Sequence, residues 1–530
     1  VKKVKASTAI VNFLESEGVK TIFGYPGGAV LPIFESLSQS SINHVLVRHE
    51  QGAIHAASGY ALSSDTTGVC IATSGPGATN LITGIANAYM DSIPVVIITG
   101  QVATNIIGYD SFQEADIIGA SEPFTKHNYL IRDISTLGEV FKNAFHIANS
   151  GRKGPVLIDI PINIQNADFK GDYPQSVDIS GYKPTIHGNP YQIKLAHKKI
   201  INSKRPLLCI GSGILLSHSR KELRAFVDAT NIPVLHTLKG KGAFDESREE
   251  YVGMIGSHGH HYSNEIIKNS DLLIVIGMSI STRTRANFSI ADKNVIHIDI
   301  DPAEVGKKIQ TSIPIVGDAK EILNELISRD YSTDFSEWHK FIATEKNKNN
   351  NYLGKEAFIA KKLGKISNLL DEDAIIVADV GNNQISAAHN LKMNGKRRFI
   401  TSGGLGTMGF SLPASIGAQM SKRDRQILVV IGDGGFQMVM NELITLFENE
   451  LNVKILLIDN QSLGMVRDLQ KAWYNHTFSV NFKRNPNFEK ICEANYISYF
   501  DLNIEENISK FLGHPSVALG RINLVGEENE

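Results

Sequence analysis

Short β-branched apolar runs recur along the whole chain, most of them followed by a glycine-containing turn. They are TIFGYP, GVCIATSGPG, IPVVIITGQ and GPVLIDIP before residue 165, and PLLCIG, NIPVLHT, DLLIVIG and NVIHIDI between 193 and 325. After residue 353 come AIIVAD, QILVVIGDGG and VKILLIDN. Runs of this length, apolar on both faces, read as buried strands of parallel sheets. Parallel strands need crossover connections, and the Ala- and Leu-rich stretches between the runs, such as GAIHAASGYAL and GATNLITGIANAYM, suit helices in that role. The pattern predicts an α/β chain of three open parallel-sheet domains, at 1–165, 193–325 and 353–530. A Pro- and Gly-dotted linker at 166–192 joins the first two, and a polar, solvated connector at 326–352, ending in an Asn/Lys run, joins the last two.

Composition narrows the function classes. Among 530 residues, 53 basic side chains meet 55 acidic ones for a net charge of -2, so no basic excess is available to grip a phosphate backbone and nucleic acid is not expected as a partner. Hydrophobic residues make up 42%, enough for several cores and too many for a disordered chain. The longest apolar runs are strand-sized, far short of the roughly 20 residues that span a bilayer. The first twenty residues have a basic start, but Asn12, Glu15 and Glu17 break the apolar stretch that a targeting signal needs. Cys70, Cys209 and Cys492 form no metal or redox spacing, and the first two lie in apolar runs as small buried hydrophobes. A cytoplasmic protein is expected.

The most specific local pattern is IGDGG at 431–435, with a second strand end, LLIDN, 27 positions later at Asn460. Asp433 and Asn460 thus fall at the C-terminal ends of parallel strands, the edge where open α/β sheets bind ligands. A carboxylate, an amide oxygen and a backbone carbonyl form a hard oxygen set suited to Mg²⁺, which completes its octahedron with phosphates and water. Gly432, Gly434 and Gly435 leave room for backbone N–H groups to approach a diphosphate. Taken alone, GDGG reads equally well as a tight strand-end turn.

GDGG with the distant DN resembles the thiamine diphosphate motif, whose usual ending is a pair of asparagines where this chain has Asp459-Asn460. The resemblance widens through FGYPGGAVLPI (23–33), RHEQGAIHAA (48–57), TSGPGATNL (73–81), MDSIPVVIITGQV (90–102), SFQEADI (111–117), TKHN (125–128), HIDIDPAEVGK (297–307), TSGGLGTMGF (401–410) and GMVRDLQ (464–470). In this order, over essentially the full chain, the motifs resemble the large, catalytic subunit of acetolactate (acetohydroxyacid) synthase.

The resemblance implies thiamine diphosphate and Mg²⁺ as cofactors and a small-molecule 2-oxo acid substrate. Asp433, Asn460 and Ser462 match the metal site. Glu50 matches the glutamate that hydrogen-bonds the cofactor's aminopyrimidine N1′ and so promotes loss of the thiazolium C2 proton. A carboxyl in that role must share or hold a proton, and burial is the expected means; the bland alternative is a buried Glu50 paired with Arg48 or His49. Gly406 matches a backbone contact to the 4′-amino group, and Met408 the wedge that bends the cofactor. Gly381, Gln384 and Met465 match further cofactor-shell positions. Phe112 and Gln113 match side chains beside the two-carbon unit, and Lys126 matches a pocket lysine, against a plain reading as a surface residue. Gly27 and Gly28 match backbone of one subunit near the cofactor of another. Self-association as a dimer or tetramer with a shared site follows, as does a possible regulatory subunit.

The middle domain resembles one that holds FAD, largely as a structural cofactor. Gly211, Ser212 and Gly213 follow a strand and have the look of a nucleotide loop, a weak signal alone. Thr237, Leu238, Gly256, His258, Gly277, Arg283, Asp299 and Asp318 match the remaining flavin-domain positions, with Asp299 at a strand end as an adenine or ribose contact.

Three departures fall in the matching acceptor pocket. The family's PKD is Pro161-Ile162-Asn163, so the entrance lysine is Ile162; its GMHG reads Gly256-Ser257-His258-Gly259; and its acceptor-selecting tryptophan is Leu469. The family's covering C-terminal tail is expected to be short or absent. Smaller groups widen a pocket and remove contact surface. The leading reading is decarboxylation of pyruvate with transfer of the two-carbon unit to a second 2-oxo acid, giving 2-acetolactate. The alternative keeps the donor chemistry with a keto-sugar nucleotide as acceptor. A catalytically silent binding or regulatory subunit is disfavoured by the retained Glu50, Asp433 and Asn460. Product analysis with pyruvate separates the three.

Overall fold

A computed structural model describes residues 4–281, 284, 293–348 and 354–525. It contains three six-stranded sheets, and the strand pairings described in all three are parallel. In the first sheet the spatial order of the strands, numbered by their sequence within the sheet, is 2-1-3-4-6-5; the third sheet has the same order. The middle sheet is ordered 3-2-1-4-5-6, the doubly wound dinucleotide-binding arrangement. The apolar runs read from the sequence are its central strands: Thr21–Tyr25, Gly68–Ala72, Val95–Gln101 and Val156–Pro161 in the first sheet, Pro206–Ile210 and Leu272–Ile276 in the second, and Ile375–Ala378, Ile427–Gly432 and Val453–Asp459 in the third.

Backbone contacts group these three sheets into two compact units. One comprises residues 4–182, 375–384 and 400–525 and holds the first and third sheets around the largest core. The other comprises 183–374 with 385–399. In the first unit, two helices, Glu50–Ser64 and Ser411–Ser421, cross at backbone distance. A Cβ on Gly59 would lie 1.9 Å from the Ala414 carbonyl oxygen, and one on Gly417 would lie 1.8 Å from that of Ala56. Residues 170–189 carry no helix or strand, although Asp168–Phe169 pairs antiparallel with Val4–Lys5.

The second connector departs from expectation. Ser336–Asn347 is a helix whose Trp338 is buried, donating its indole N–H to the Pro206 carbonyl at 3.0 Å and stacking on Phe341. Ile342 is buried on the same face and Phe341 packs beside it, an apolar spacing of three and four residues that the polar Asn/Lys run following the helix masked in the sequence. Cys70, Cys209 and Cys492 are free and buried. Among the described residues no helix is long and apolar enough to cross a membrane.

Candidate active site

In sheets ordered 2-1-3, the chain reverses direction between strands 1 and 3, and the turns leaving those two strands diverge to open a crevice. In the first sheet these turns are residues 26–27, leading from Thr21–Tyr25 into the turn of helix Gly28–Val30, and residues 73–75, leading from Gly68–Ala72 into the short helix Pro76–Thr79. Gly27 is required by packing, since a Cβ there would lie 2.6 Å from that of Thr73. Gly28 is not: a Cβ would meet nothing within 4 Å, which leaves an open stretch of backbone for another molecule to approach.

Glu50 opens the helix Glu50–Ser64 behind its N-cap His49, a position where a carboxylate is favoured by the helix dipole. Its Oε2 accepts from the Asn80 amide at 2.9 Å, and its Oε1 lies 3.4 Å from where a Cβ on Gly77 would stand. Glu50 is half-buried in the single chain, and the alternative pairing with Arg48 is corrected: Arg48 pairs with Glu448 at 2.5 Å. Gln113 takes a left-handed backbone (φ 58°) against Gly75, whose own φ of 60° and clearance of 2.9 Å to the Gln113 carbonyl admit only glycine. Phe112 beside it is 89% exposed. This loop is tied down by Gln101, which donates to the Ala115 carbonyl at 3.0 Å and to buried Asp159 at 2.9 Å. Glu50, Gly27, Gly28, Phe112 and Gln113 therefore border one edge of the first sheet. Lys126 has a different occupation: its ammonium caps the helix Leu137–Asn149 on the Ile147 and Ser150 carbonyls and meets the Tyr182 hydroxyl at 2.9 Å. Ile162 begins the short helix Ile162–Asn166 directly after the strand Val156–Pro161.

The equivalent crevice of the third sheet lies between Ile375–Ala378 and Ile427–Gly432. Asp433, 1% exposed, begins the helix Asp433–Val439. The adjacent strand Val453–Asp459 ends at Asp459, with Asn460 the next residue and Gly432 paired to Ile458. Asn460 Oδ1 accepts from the Ser462 N–H and hydroxyl at 3.1 and 3.2 Å. Burial raises the Asp433 carboxyl above the usual range; Asn485 donating to it works the other way, and the charge of Asp459 adds to the rise. A divalent cation would relieve that cost, and the donors are the hard oxygens Mg²⁺ takes. Among the described residues no group of three or more His, Cys, Asp or Glu could hold a metal.

The glycines hold the crevice open. A Cβ on Gly434 would meet Leu463 at 2.9 Å and the Met408 methyl at 3.3 Å; one on Gly435 would meet Asp379 at 2.6 Å. Asp379 was missed by the sequence reading although it ends the run AIIVAD. Fully buried, with its pKa pushed up to about 6 by burial, it accepts from the Gly409 and Ser411 N–H groups, both at 2.9 Å, and so shapes the loop that carries Gly406 (φ 78°) and Met408. Asn87 and Asp91, from the first sheet's helix Ile82–Met90 and its end, hold the same loop through the Ser402 and Thr407 hydroxyls and the Gly403 and Gly404 N–H groups. Gly381 (φ 133°) and Gln384 follow the first strand, Gln384 donating to Thr401 at 2.6 Å. Met465 is half-buried and Leu469 is exposed on the helix Gly464–Tyr474, which buries only Gly464 and exposes Val466, Trp473 and Tyr474.

In the other unit the reversal lies between Pro206–Ile210 and Leu272–Ile276. Gly211 and Gly213 are glycines because of Gly277: a Cβ on either would come within 2.3–2.5 Å of its backbone, and Gly277 itself has φ 54°. Three glycines make two strand-end turns interlock where a doubly wound sheet takes a dinucleotide. Ser212 precedes the turn of helix Gly213–Leu216. Thr237 caps Leu238–Gly240, Gly256 (φ 107°) is bracketed by the Asn264 amide, and the His258 carbonyl accepts from His389 at 2.7 Å, next to Ser257. Asp299 ends the strand Asn294–Asp299, and Asp318 caps the helix Ala319–Ile327. Arg283 lies outside the described residues.

Comparison with known proteins gives three matches to family models: thiamine pyrophosphate enzyme, N-terminal TPP binding domain, over 4–120; the central domain over 193–326; and the C-terminal TPP binding domain over 379–519. The chain is 43% identical over 509 residues to the "Probable acetolactate synthase large subunit" of Methanocaldococcus jannaschii, covering 93% of this chain and 86% of that one. It is 42% identical over 513 residues to the acetolactate synthase large subunit of Corynebacterium glutamicum (93% and 82%) and 42% over 521 residues to the acetolactate synthase of Arthrospira platensis (93% and 89%).

Proposed function

The chain belongs to the acetolactate synthase large-subunit family of thiamine diphosphate enzymes, and from that premise we propose how its own residues carry the family's reaction. That reaction is the decarboxylation of pyruvate and the joining of the two-carbon unit to a second 2-oxo acid, giving 2-acetolactate when the second acid is pyruvate. Thiamine diphosphate, when bound, supplies the nucleophilic carbon and the electron sink for decarboxylation.

The protein's part is binding, orientation and proton handling. Asp433 and Asn460, with Ser462, hold Mg²⁺, while Gly432, Gly434 and Gly435 let main-chain N–H groups reach the diphosphate. Gly406 and Met408 orient the cofactor's rings, and Glu50 exchanges a proton with the aminopyrimidine. Phe112 and Gln113 flank the donor unit, and Ile162 and Leu469 face the acceptor. The interlocked glycine turns of the other unit support FAD as a second cofactor held for structure. A second copy of the chain is needed: Glu50 is only half-buried in one chain, and the large apolar side chains Phe112, Leu469, Trp473 and Phe478 of the same unit stand exposed. The relatives named above are acetolactate synthases over 93% of this chain, which favours a 2-oxo acid over a keto-sugar nucleotide as acceptor.

The observation that carries the reading is the buried Asp433 at a chain-reversal crevice, followed by Gly434 and Gly435, where a Cβ would meet Leu463 and Asp379. Asp433→Ala is expected to lose thiamine diphosphate binding by calorimetric titration in Mg²⁺, and with it acetolactate formation from pyruvate. Wild-type affinity and an unchanged Mg²⁺ requirement would overturn the assignment.

A further inference from the structure

A second buried carboxylate stands next to Asp433. Asp459 ends the neighbouring strand with its side chain 1% exposed, and one amide joins the pair: Asn485 Nδ2 donates to Asp433 Oδ2 and to Asp459 Oδ1, both at 2.7 Å. The Asn485 oxygen is fixed in turn by Gln437 at 3.3 Å. Asp459 is also gripped from the other side. Arg521, on the strand Ala518–Asn523, lies opposite Leu457, so its side chain shares the face of Asp459 two residues along. Its Nε and Nη2 both donate to Asp459 Oδ2, at 2.9 and 2.5 Å, while the guanidinium rests over the Phe488 ring. The Gln461 N–H adds a donor to Oδ1 at 3.2 Å.

Two neighbouring buried carboxylates ordinarily share a proton or share a cation. Here both oxygens of Asp459 are taken by protein donors, and a guanidinium balances its charge. An asparagine at 459, the residue of the motif this segment resembles, would need no such partner; Arg521 answers the charge that aspartate brings. We propose that Arg521 and Asn485 are positioning residues that keep Asp459 out of the coordination sphere and leave Asp433 as the single carboxylate ligand of the Mg²⁺–diphosphate centre, an inference resting on the metal–diphosphate reading above. The consequence is electrostatic. Mg²⁺ held by one carboxylate keeps net positive charge for the diphosphate, whereas two carboxylates would neutralise it, tightening the metal and repelling the cofactor.

The test uses the full chain and two binding readouts: Mn²⁺ alone, followed by loss of its free electron paramagnetic resonance signal, and calorimetric titration of thiamine diphosphate at fixed Mg²⁺. Outer partners of metal ligands typically change metal affinity about 10–100-fold. Arg521→Met, freeing Asp459, is expected to bind Mn²⁺ about 10-fold tighter and thiamine diphosphate at least about 10-fold more weakly, and the double variant Asp459→Asn/Arg521→Met to restore both. A folded Arg521→Met with both affinities unchanged, or a double variant that restores neither, overturns the inference. Should Arg521→Met fail to fold, Asp459→Asn decides alone: unchanged Mn²⁺ affinity supports the proposal, and a loss of about 10-fold shows Asp459 to be a ligand and overturns it. Asp433→Ala separates the two levels. Wild-type cofactor affinity there removes the underlying reading, while its loss beside a silent Arg521→Met removes only this inference.

Discussion

Glu50 is held by a single side-chain amide, Asn80, at the first turn of its helix, and that sparse environment suits a carboxyl that must exchange a proton rather than anchor a structure. Glu50→Gln preserves shape and leaves the metal end untouched, so thiamine diphosphate should still bind. An amide cannot pass the proton, and the C2 hydrogen–deuterium exchange of bound cofactor, followed by NMR, should slow by about 10²–10⁴-fold, the usual scale of a positioned acid–base group. An unchanged exchange rate would assign Glu50 a structural part. The residues readable in the sequence are those whose place follows from a strand end: Asp433, Asn460 and the turn glycines. Asn485 and Arg521 reach the same centre from a distant loop and from a neighbouring strand, and nothing local marks them. Lys126 shows the reverse case, a motif match whose ammonium is accounted for by the helix end it caps.

The helix pair Glu50–Ser64 and Ser411–Ser421 joins the two sheets that carry the candidate residues, and its close approach depends on Gly59 and Gly417. Gly417→Ala would drive a methyl to within 1.8 Å of the Ala56 carbonyl. The backbone cannot yield as a side chain can, so the alanine's helix-propensity gain of about 1 kcal/mol is outweighed by overpacking of about 1–3 kcal/mol or more. Urea unfolding should show a net loss; a gain would mean the crossing is loose. His55 is buried in the same helix, its ring edge-on to Phe410 with centroids 5.2 Å apart and its Nδ1 without a partner. Burial lowers its pKa from 6.5 to about 3, so the unfolded chain takes up the proton first. Stability from the neutral ring is complete above pH 6.5 and is lost as pH falls toward 3, at about 1.4 kcal/mol per pH unit. His55→Gln should flatten the stability–pH slope between pH 6.5 and 5 by that amount, measured by urea unfolding at each pH. Element identity was legible at most strands buried on both faces, the interior strand Ala518–Asn523 excepted. The edge strands His127–Leu130, Tyr251–Met254, Ile313–Val316, Arg398–Thr401 and Ser498–Asp501 escaped, because each is only four residues long, too short a run to stand out in the sequence.

At the scale of the molecule, the sequence announces alternating strands and helices but not their spatial order, which depends on where each crossover returns. The repeated 2-1-3-4-6-5 order puts a crevice at the same place in the first and third sheets. Glu50 borders one and Asp433 begins the helix at the other, and the proposed function needs both groups on one cofactor. If each site takes Glu50 from one copy and Asp433 from its partner, two inactive variants can repair one another. In a mixed dimer of Glu50→Gln and Asp433→Ala, one site receives both substitutions and the other neither. Random pairing makes half the dimers mixed, each with one of two sites intact, so co-expressed variants should recover about a quarter of the wild-type rate. The recovered rate should fall on dilution as the pair dissociates, and re-pairing variants that carry both changes in one chain with wild type should give no such gain over the wild-type dimers present. Activity no greater than the sum of the separately prepared variants would place both groups of each site within a single chain.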